Sequence, residues 1–422
     1  MSAAAHIIDG FDLNDGNCAV TTFEPETPTH VLTSGSPGRG CERLTRVTTG
    51  GFRRHHYIVE VTGTSKEDIE ANIAELISHL PMAGRGPLNL VRIASDGLTA
   101  VTDVAVAIDG MFSWPYSFRY DIGNIAEVEF TLVCTAYATL SPVADGPTSL
   151  TTPCVVDLSA MTGEYPGPLD MLFSAPDTND LTEFWVAYVP ADETAACAWA
   201  DALSWIIEAE SLSWTNGTAA VVAYANPTGG ANNAVVTDGN PTMYADFDMA
   251  ALPISSYGIL ARAKASDAGC YMWTSRAGIS GLFTPLTELP DNGPFAVAGM
   301  GSVRLPTKAM CGAATDLVRF SFSPATGDSV SADRLFTMPT RWGAWHWKAA
   351  SGHKHAVERV GETLYVSDTN AAAGVVDMVE VVGAAIEGLR GRLLIVAQGT
   401  SVTEATHAVA LTYTYTPRLT LW

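Results

Sequence analysis

Residues 57–91 read YIVEVTGTSKEDIEANIAELISHLPMAGRGPLNLV, and this stretch decides the fold class of the first part of the chain. Ser65 can accept from the free N–H groups of a helix start, with Asp68 at the capping-box position. Glu67 and Asp68 suit the positive end of the helix dipole. Ile69, Ile73, Leu76, Ile77 and Leu80 recur at helical spacing on one face, and Pro81 and Gly84 then stop the pattern. The spacing predicts one amphipathic helix over about 65–80. Before it, 55–61 (HHYIVEV) alternates as a strand does, and 88–93 (LNLVRI) follows it as another.

Working outward, 99–108 carries the β-branched Val101, Val104 and Val106 and reads as a strand. Residues 125–137 (IAEVEFTLVCTAY) set Val128, Phe130 and Leu132 against Glu127, Glu129 and Thr131, the period of a half-buried strand. Pro142 and Gly146-Pro147-Thr148-Ser149 read as a linker. Residues 1–145 are therefore expected to form an antiparallel sheet or sandwich with one flanking helix. Beyond it, short apolar runs between Gly, Pro, Asn and Asp recur at 170–173, 183–189, 257–263, 317–323, 392–397 and 407–415. That spacing points to a large jelly-roll β-sandwich over 146–422. A short helix is expected over 193–205, followed by strand-like alternation over 208–214. The fold class is mainly β.

Composition limits the function. The 422 residues carry 23 Lys and Arg against 45 Asp and Glu, a net charge of −22, and are 47% hydrophobic. Such a chain has apolar material for real cores and is too rich in it to be disordered. Nucleic-acid binding depends on cations that neutralise phosphates, so sequence-specific nucleic acid is not an expected partner. Charged residues make up only 16%, against roughly 25% in an ordinary soluble domain. Many Thr, Ser, Ala and Gly with few charges suit a surface covered by neighbours in a permanent assembly. The first residues, MSAAAHIIDG, lack the basic and apolar regions of a signal peptide. Apolar runs such as 219–225 fall far short of a membrane helix, so membrane insertion is not expected. Seven scattered cysteines without a CxxC fit isolated reduced thiols better than zinc or disulfides.

No P-loop, GxSxG elbow, HExxH, EF-hand loop or GxGxxG unit is present, so no catalytic residue, cofactor or metal is expected. His346, His353 and His355 lie close together, but Lys348 and Lys354 are interleaved and disfavour a dication. Asp246 and Asp248 would share a strand face, a weak hint of calcium or paired carboxylates. Asn216-Gly-Thr218 is formally a glycosylation sequon. Trp342, Trp345 and Trp347 crowd RWGAWHWK and could stack on sugar rings, although packing is the commoner use of aromatics. The stretch 39–56 holds Arg39, Arg43, Arg46, Arg53 and Arg54 against a single acid, Glu42. It reads as a solvated loop, as a basic patch meeting an acidic neighbour between subunits, or, least favoured, as a DNA contact.

The order of strands, capped helix, GPL strand and further strands resembles the tail-tube-like N-terminal domain of siphophage distal tail proteins. The stretches that carry the likeness are 57–91, quoted above, and 126–142, AEVEFTLVCTAYATLSP. The remainder resembles the jelly-roll half of minor tail proteins from phages of actinobacteria, similar in turn to galectin-like or carbohydrate-binding modules. YGILARAKAS (257–266), GSVRLP (301–306) and YTPR (415–418) carry that part. The resemblance implies a structural virion protein without enzymatic activity, assembled in the host cytoplasm and located at the tail tip. It implies a ring homo-oligomer, a hexamer in the family, that joins the tail tube protein to tip, hub or baseplate proteins and presents the jelly roll outward. An acidic ring suits a channel that DNA slides through. The acidity is spread over both domains, however: residues 1–145 carry nine Lys and Arg against 18 Asp and Glu. Two other readings stay open, a carbohydrate-binding adhesion module for host cell-wall glycans and a glycoside hydrolase.

Overall fold

The computed structural model describes residues 5–14, 16–26, 31–34, 45–48, 52–81, 87–93, 100–109, 125–135, 137–159, 161, 167–174, 181–225, 231–239, 241–248, 256–276, 287–289, 295–304, 317–348, 354–360, 363–368, 376–377, 380–382, 387–388, 391–399 and 407–419. Two compact units divide the chain. One comprises Met1–Val143, Gly163–Gly167 and Thr416–Trp422, and the other Ala144–Thr162 and Pro168–Tyr415. The protein is mainly β, built from antiparallel sheets, as its alternating patterns require.

In the first unit the main sheet runs in the order Phe11–Asp12, Ala5–Ile8, Leu88–Ile93, Ala100–Ile108, Ile125–Cys134, Arg53–Thr62, Cys18–Pro25. The helix is Lys66–Ser78. Ser65 Oγ accepts from the Asp68 N–H at 3.2 Å, and Asp68 returns the bond to Thr64 N at 2.7 Å, one residue before the usual capping-box partner. Gly63 makes the tight entry possible: a Cβ there would lie 2.8 Å from the backbone nitrogen of Ile69. Ile69, Ile73 and Leu76 pack with Val59, Val61, Val128 and Phe130 in one core. Each fully buried aliphatic side chain of this kind contributes about 1.5–3 kcal/mol. The C-terminal Arg418–Leu419 pairs with Ala138–Thr139 within this unit, so part of the YTPR segment belongs here.

The second unit contains two sandwiches rather than one. The outer pair of sheets includes Gly167–Ser174 and His407–Tyr415 on one side and Leu181–Pro190 and Gly391–Gly399 on the other. Phe173, Phe184, Val186, Ile395, Leu411 and Tyr413 fill the space between them. After Leu181–Pro190 the chain forms the helix Thr194–Asp201, shorter than the expected 193–205 because Leu203 turns left-handed at φ +54°. Residues 206–339 then build a second sandwich before the chain returns at Ala344–Lys348. One of its sheets is centred on Ser256–Ala265 and Val330–Pro339, both buried on two faces. The other is ordered Trp214–Thr215, Met243–Asp248, Leu317–Ser323, Tyr271–Arg276, Thr287–Glu288. Ile259, Ala261, Met243, Met272, Phe320 and Phe322 share the inserted core.

The linker expected at 146–149 is instead part of a strand, Val143–Thr152, at the edge of the outer sandwich. An edge strand can hold Pro147 because one side of it needs no ladder donor. Gly146 there has φ +109°, and a Cβ would stand 2.6 Å from the Leu411 carbonyl oxygen. No helix of the described residues is long and apolar enough to cross a membrane.

Candidate functional site

Strand alternation sorts the arginine-rich stretch. On Arg53–Thr62 every second residue is buried, so Arg53 and His55 share the inward face with Tyr57, Val59 and Val61, while Arg54 points out. Arg53 is therefore a correction to the surface-patch reading: it is 1% exposed and bonded to the buried carboxylate of Asp103. Arg54 is exposed and engages Asp109 and Glu26 within the chain. Arg46 lies on the hairpin strand Thr45–Thr48, its side chain outside the described residues, as are Arg39 and Arg43 entirely.

The buried group that collects around Arg53 was not anticipated. Asp103 Oδ2 accepts from Arg92 Nε at 2.9 Å, Arg53 Nε donates to the Thr135 carbonyl at 3.1 Å, and His55 Nε2 stands 3.6 Å from Asp103. His6 Nδ1 is 3.1 Å from the Tyr57 hydroxyl. Burial works against the Asp103 charge, but nearby His55 and the two guanidiniums outweigh it and hold the carboxyl at about 2. Burial, aided by the Arg92 charge, lowers His6 to about 4. The signal was present in the sequence as parity: Arg92 alternates with Leu90, and Asp103 with Val101 and Ala105, all inward.

The tryptophan group is also redistributed. Trp345 is 2% exposed and sits in the outer sandwich core, so it is no sugar platform; the register sets it opposite the buried Val186 on the inward face of the same sheet. Trp342 is half-buried against the same core, with the Arg341 guanidinium 5.7 Å from its ring. Trp347 shares the strand, its side chain outside the described residues. His346 bonds Glu183 at 2.8 Å and stacks on Trp185; His353 and the side chain of His355 lie outside the described residues. Asp246 is held by Arg319 through two bonds of 2.7 Å. Among the described residues no three His, Cys, Asp or Glu converge as metal ligands would. Cys18, Cys134, Cys154, Cys197 and Cys270 are free thiols; burial pushes Cys134 and Cys154 up to about 12, so they are poor nucleophiles.

One exposed arrangement that spacing alone did not reveal lies on the outer face of the inserted sandwich. The register places Tyr244 and Trp273 on either side of Ser321, and Asp246 and Ser275 on either side of Arg319. The Arg319 guanidinium lies 4.0 Å from the Tyr244 ring centroid. Tyr244, Trp273 and Tyr271 are each half-buried and alternate with Ala245, Met272 and Thr274, which point into the core.

These features define a mainly β protein of packed sheets whose charged and aromatic groups serve structure and surface. No family model matches the chain, and no curated protein matches it. Among solved structures it is similar to the Dit protein of phage SPP1, described as a paradigm of the hub adsorption apparatus in phages infecting Gram-positive bacteria. The similarity covers 79% of this chain and 98% of that one, with 10% identity and a TM-score of 0.31. A likeness at that level carries no weight on function.

Proposed function

We propose that this chain is a structural protein of a phage tail tip that assembles as a ring, six copies in the family it resembles, between tail tube and tip proteins. The observation that supports this most is the first unit. One antiparallel sheet carries one capped helix, in the strand–helix–strand order on which the tail-tube-like resemblance of residues 57–91 rests. Among the described residues the sheet ends at Cys18–Pro25, whose outer edge is unpaired and offers backbone groups to a neighbouring copy. The low charged content, 16%, suits a surface shared with such neighbours. In this reading the sandwiches of the second unit are carried outward and the ring lumen is acidic enough to let DNA pass.

The test is light scattering of the purified full chain across micromolar concentrations, with electron microscopy of particles that contain it. The expected result is a closed ring, sixfold in the particle. A chain that stays monomeric throughout, in particles lacking any ring at its position, overturns the proposal.

A further inference from the structure

We infer that Asn216 is a site of spontaneous deamidation, in which the backbone nitrogen of Gly217 closes on the Asn216 side chain. Asn-Gly is the pair in which this ring closure is least hindered, because the second residue has no Cβ beside the attacking nitrogen. Here the fold requires both residues. The chain leaves Trp214–Thr215 in one sheet of the inserted sandwich and enters Gly217–Ala225 in the other, and Asn216 makes that crossing left-handed at φ +60°. Asn is among the few residues with a side chain that adopt this conformation readily. At the next position a Cβ would stand 2.8 Å from Met243 Cγ and 3.0 Å from Val235 Cγ1, and both of those side chains are buried. Any residue but glycine at 217 would have to displace core.

The same geometry leaves both reacting groups accessible. Gly217 stands opposite Thr237 in the register, and the Asp238 N–H donates to the Asn216 carbonyl at 2.9 Å, flanking that pair. Gly217 is therefore in a non-hydrogen-bonded pair, with its N–H directed away from the neighbouring strand. Gly217–Ala225 is an edge strand, so among the described residues no further strand accepts from it on that side. Asn216 is exposed, and its Nδ2 donates to the Thr242 carbonyl at 3.1 Å. The reaction needs only water. The Gly217 nitrogen bonds to Asn216 Cγ, the Cγ–Nδ2 bond breaks, and the Gly217 proton departs through water with Nδ2 as ammonia. A second water opens the succinimide at either carbonyl, giving aspartate or isoaspartate. Both products add a negative charge to a turn that already holds Asp238, whose carboxylate accepts from Thr218 Oγ1 at 2.8 Å. Isoaspartate also lengthens the main chain by one carbon, which takes the Asp238 bond out of register.

This inference is independent of the ring assembly. The full chain is incubated at neutral and at alkaline pH, folded and in urea, and its digests are mapped by mass spectrometry with isoaspartate methyltransferase labelling. The expected result is the mass gain of an amide-to-acid exchange in the peptide holding residue 216, faster at alkaline pH. In the folded chain its rate is expected within about tenfold of that in urea, because an exposed edge turn opens at little cost. Amide hydrogen exchange of Asp238 is expected to quicken as isoaspartate accumulates. Asn216→Gly keeps a residue suited to the left-handed turn and is expected to abolish the modification. Mapping separates this site from the other Asn-Gly pair, Asn292-Gly293, which lies outside the described residues. A peptide at 216 that stays unmodified in the folded chain, or reacts there more than about tenfold slower than in urea, overturns the inference. So does an equal mass gain in the Asn216→Gly peptide, which places the reaction at another amide.

Discussion

Buried arginines are handled differently in the two units. In the first, Arg53 and Arg92 share one carboxylate, Asp103, with His55 and His6 close by, all at 3% exposure or less. In the inserted sandwich Arg262 is paired with Asp333 and lies 5.1 Å from the Phe295 ring centroid. Taking charge out of water is costly, so a buried pair contributes little net stability, while loss of one partner is severe. The difference lies in what one acid supports. Asp103 is the common acceptor of two guanidiniums, whereas Asp333 accepts from one; an aromatic face is common to both, Phe23 beside Arg92 and Phe295 beside Arg262.

The largest expected effect follows from that contrast. Asp103→Asn leaves two buried cations without their shared carboxylate and is expected to destabilise the first unit by about 3–5 kcal/mol. Asp333→Asn is expected to cost the inserted sandwich less, because one buried guanidinium rather than two loses its carboxylate. Hydrogen exchange resolved to the strands Arg53–Thr62 and Val330–Pro339 measures the two losses separately; equal losses would break the comparison.

An intermediate effect concerns pH. Folding lowers His6 from an ordinary 6.5 to about 4, so the folded unit favours the neutral imidazole. Its contribution is complete above pH 6.5 and is lost as pH falls through the window from 6.5 to 4, by up to about 3 kcal/mol. Asp103, held at about 2, keeps its contribution until the pH drops below the ordinary 3.8. Residues 206–339 contain no histidine, so the inserted sandwich has no group of this type. Exchange protection of the first unit is therefore expected to weaken from pH 7 to 5 more than that of the insert, and His6→Gln to flatten that dependence. A slope unchanged by His6→Gln removes this histidine as the cause.

The smallest effect sharpens the contrast between buried and exposed pairs. Asp246 and Arg319 are joined by two bonds of 2.7 Å, yet their side chains are about one-third exposed. Asp246→Asn is expected to cost less than about 1 kcal/mol. A melting curve that overlays the parent's, beside the loss expected for Asp103→Asn, shows that burial rather than bond geometry sets the cost.

Much of the first unit was legible because its elements are periodic and local. The Ser65 cap, the Ile69–Ile73–Leu76 face and the alternation of 125–134 appear in the structure as the sequence implies. The same alternation separates Arg53 from Arg54, whereas the count of five arginines over 39–56 carries no information on which of them face inward. The linker at 146–149 failed for a related reason: Gly and Pro mark turns only when no partner strand makes use of them, and His407–Tyr415 does. The insertion at 206–339 was hidden because its strands have the same length and punctuation as those of the host sandwich.

Periodicity and composition by themselves determined the fold class, the capped helix, the scarcity of surface charge and the absence of a recognisable catalytic motif. Such features depend on residues within a few positions of one another or on the whole count. The tertiary structure alone decided that Arg53, Arg92 and Asp103 meet, that Trp345 is core, and that Tyr244, Ser321 and Trp273 form one row. Those groupings depend on register between strands tens of residues apart, and register is set by which faces pack together, a property no local window contains.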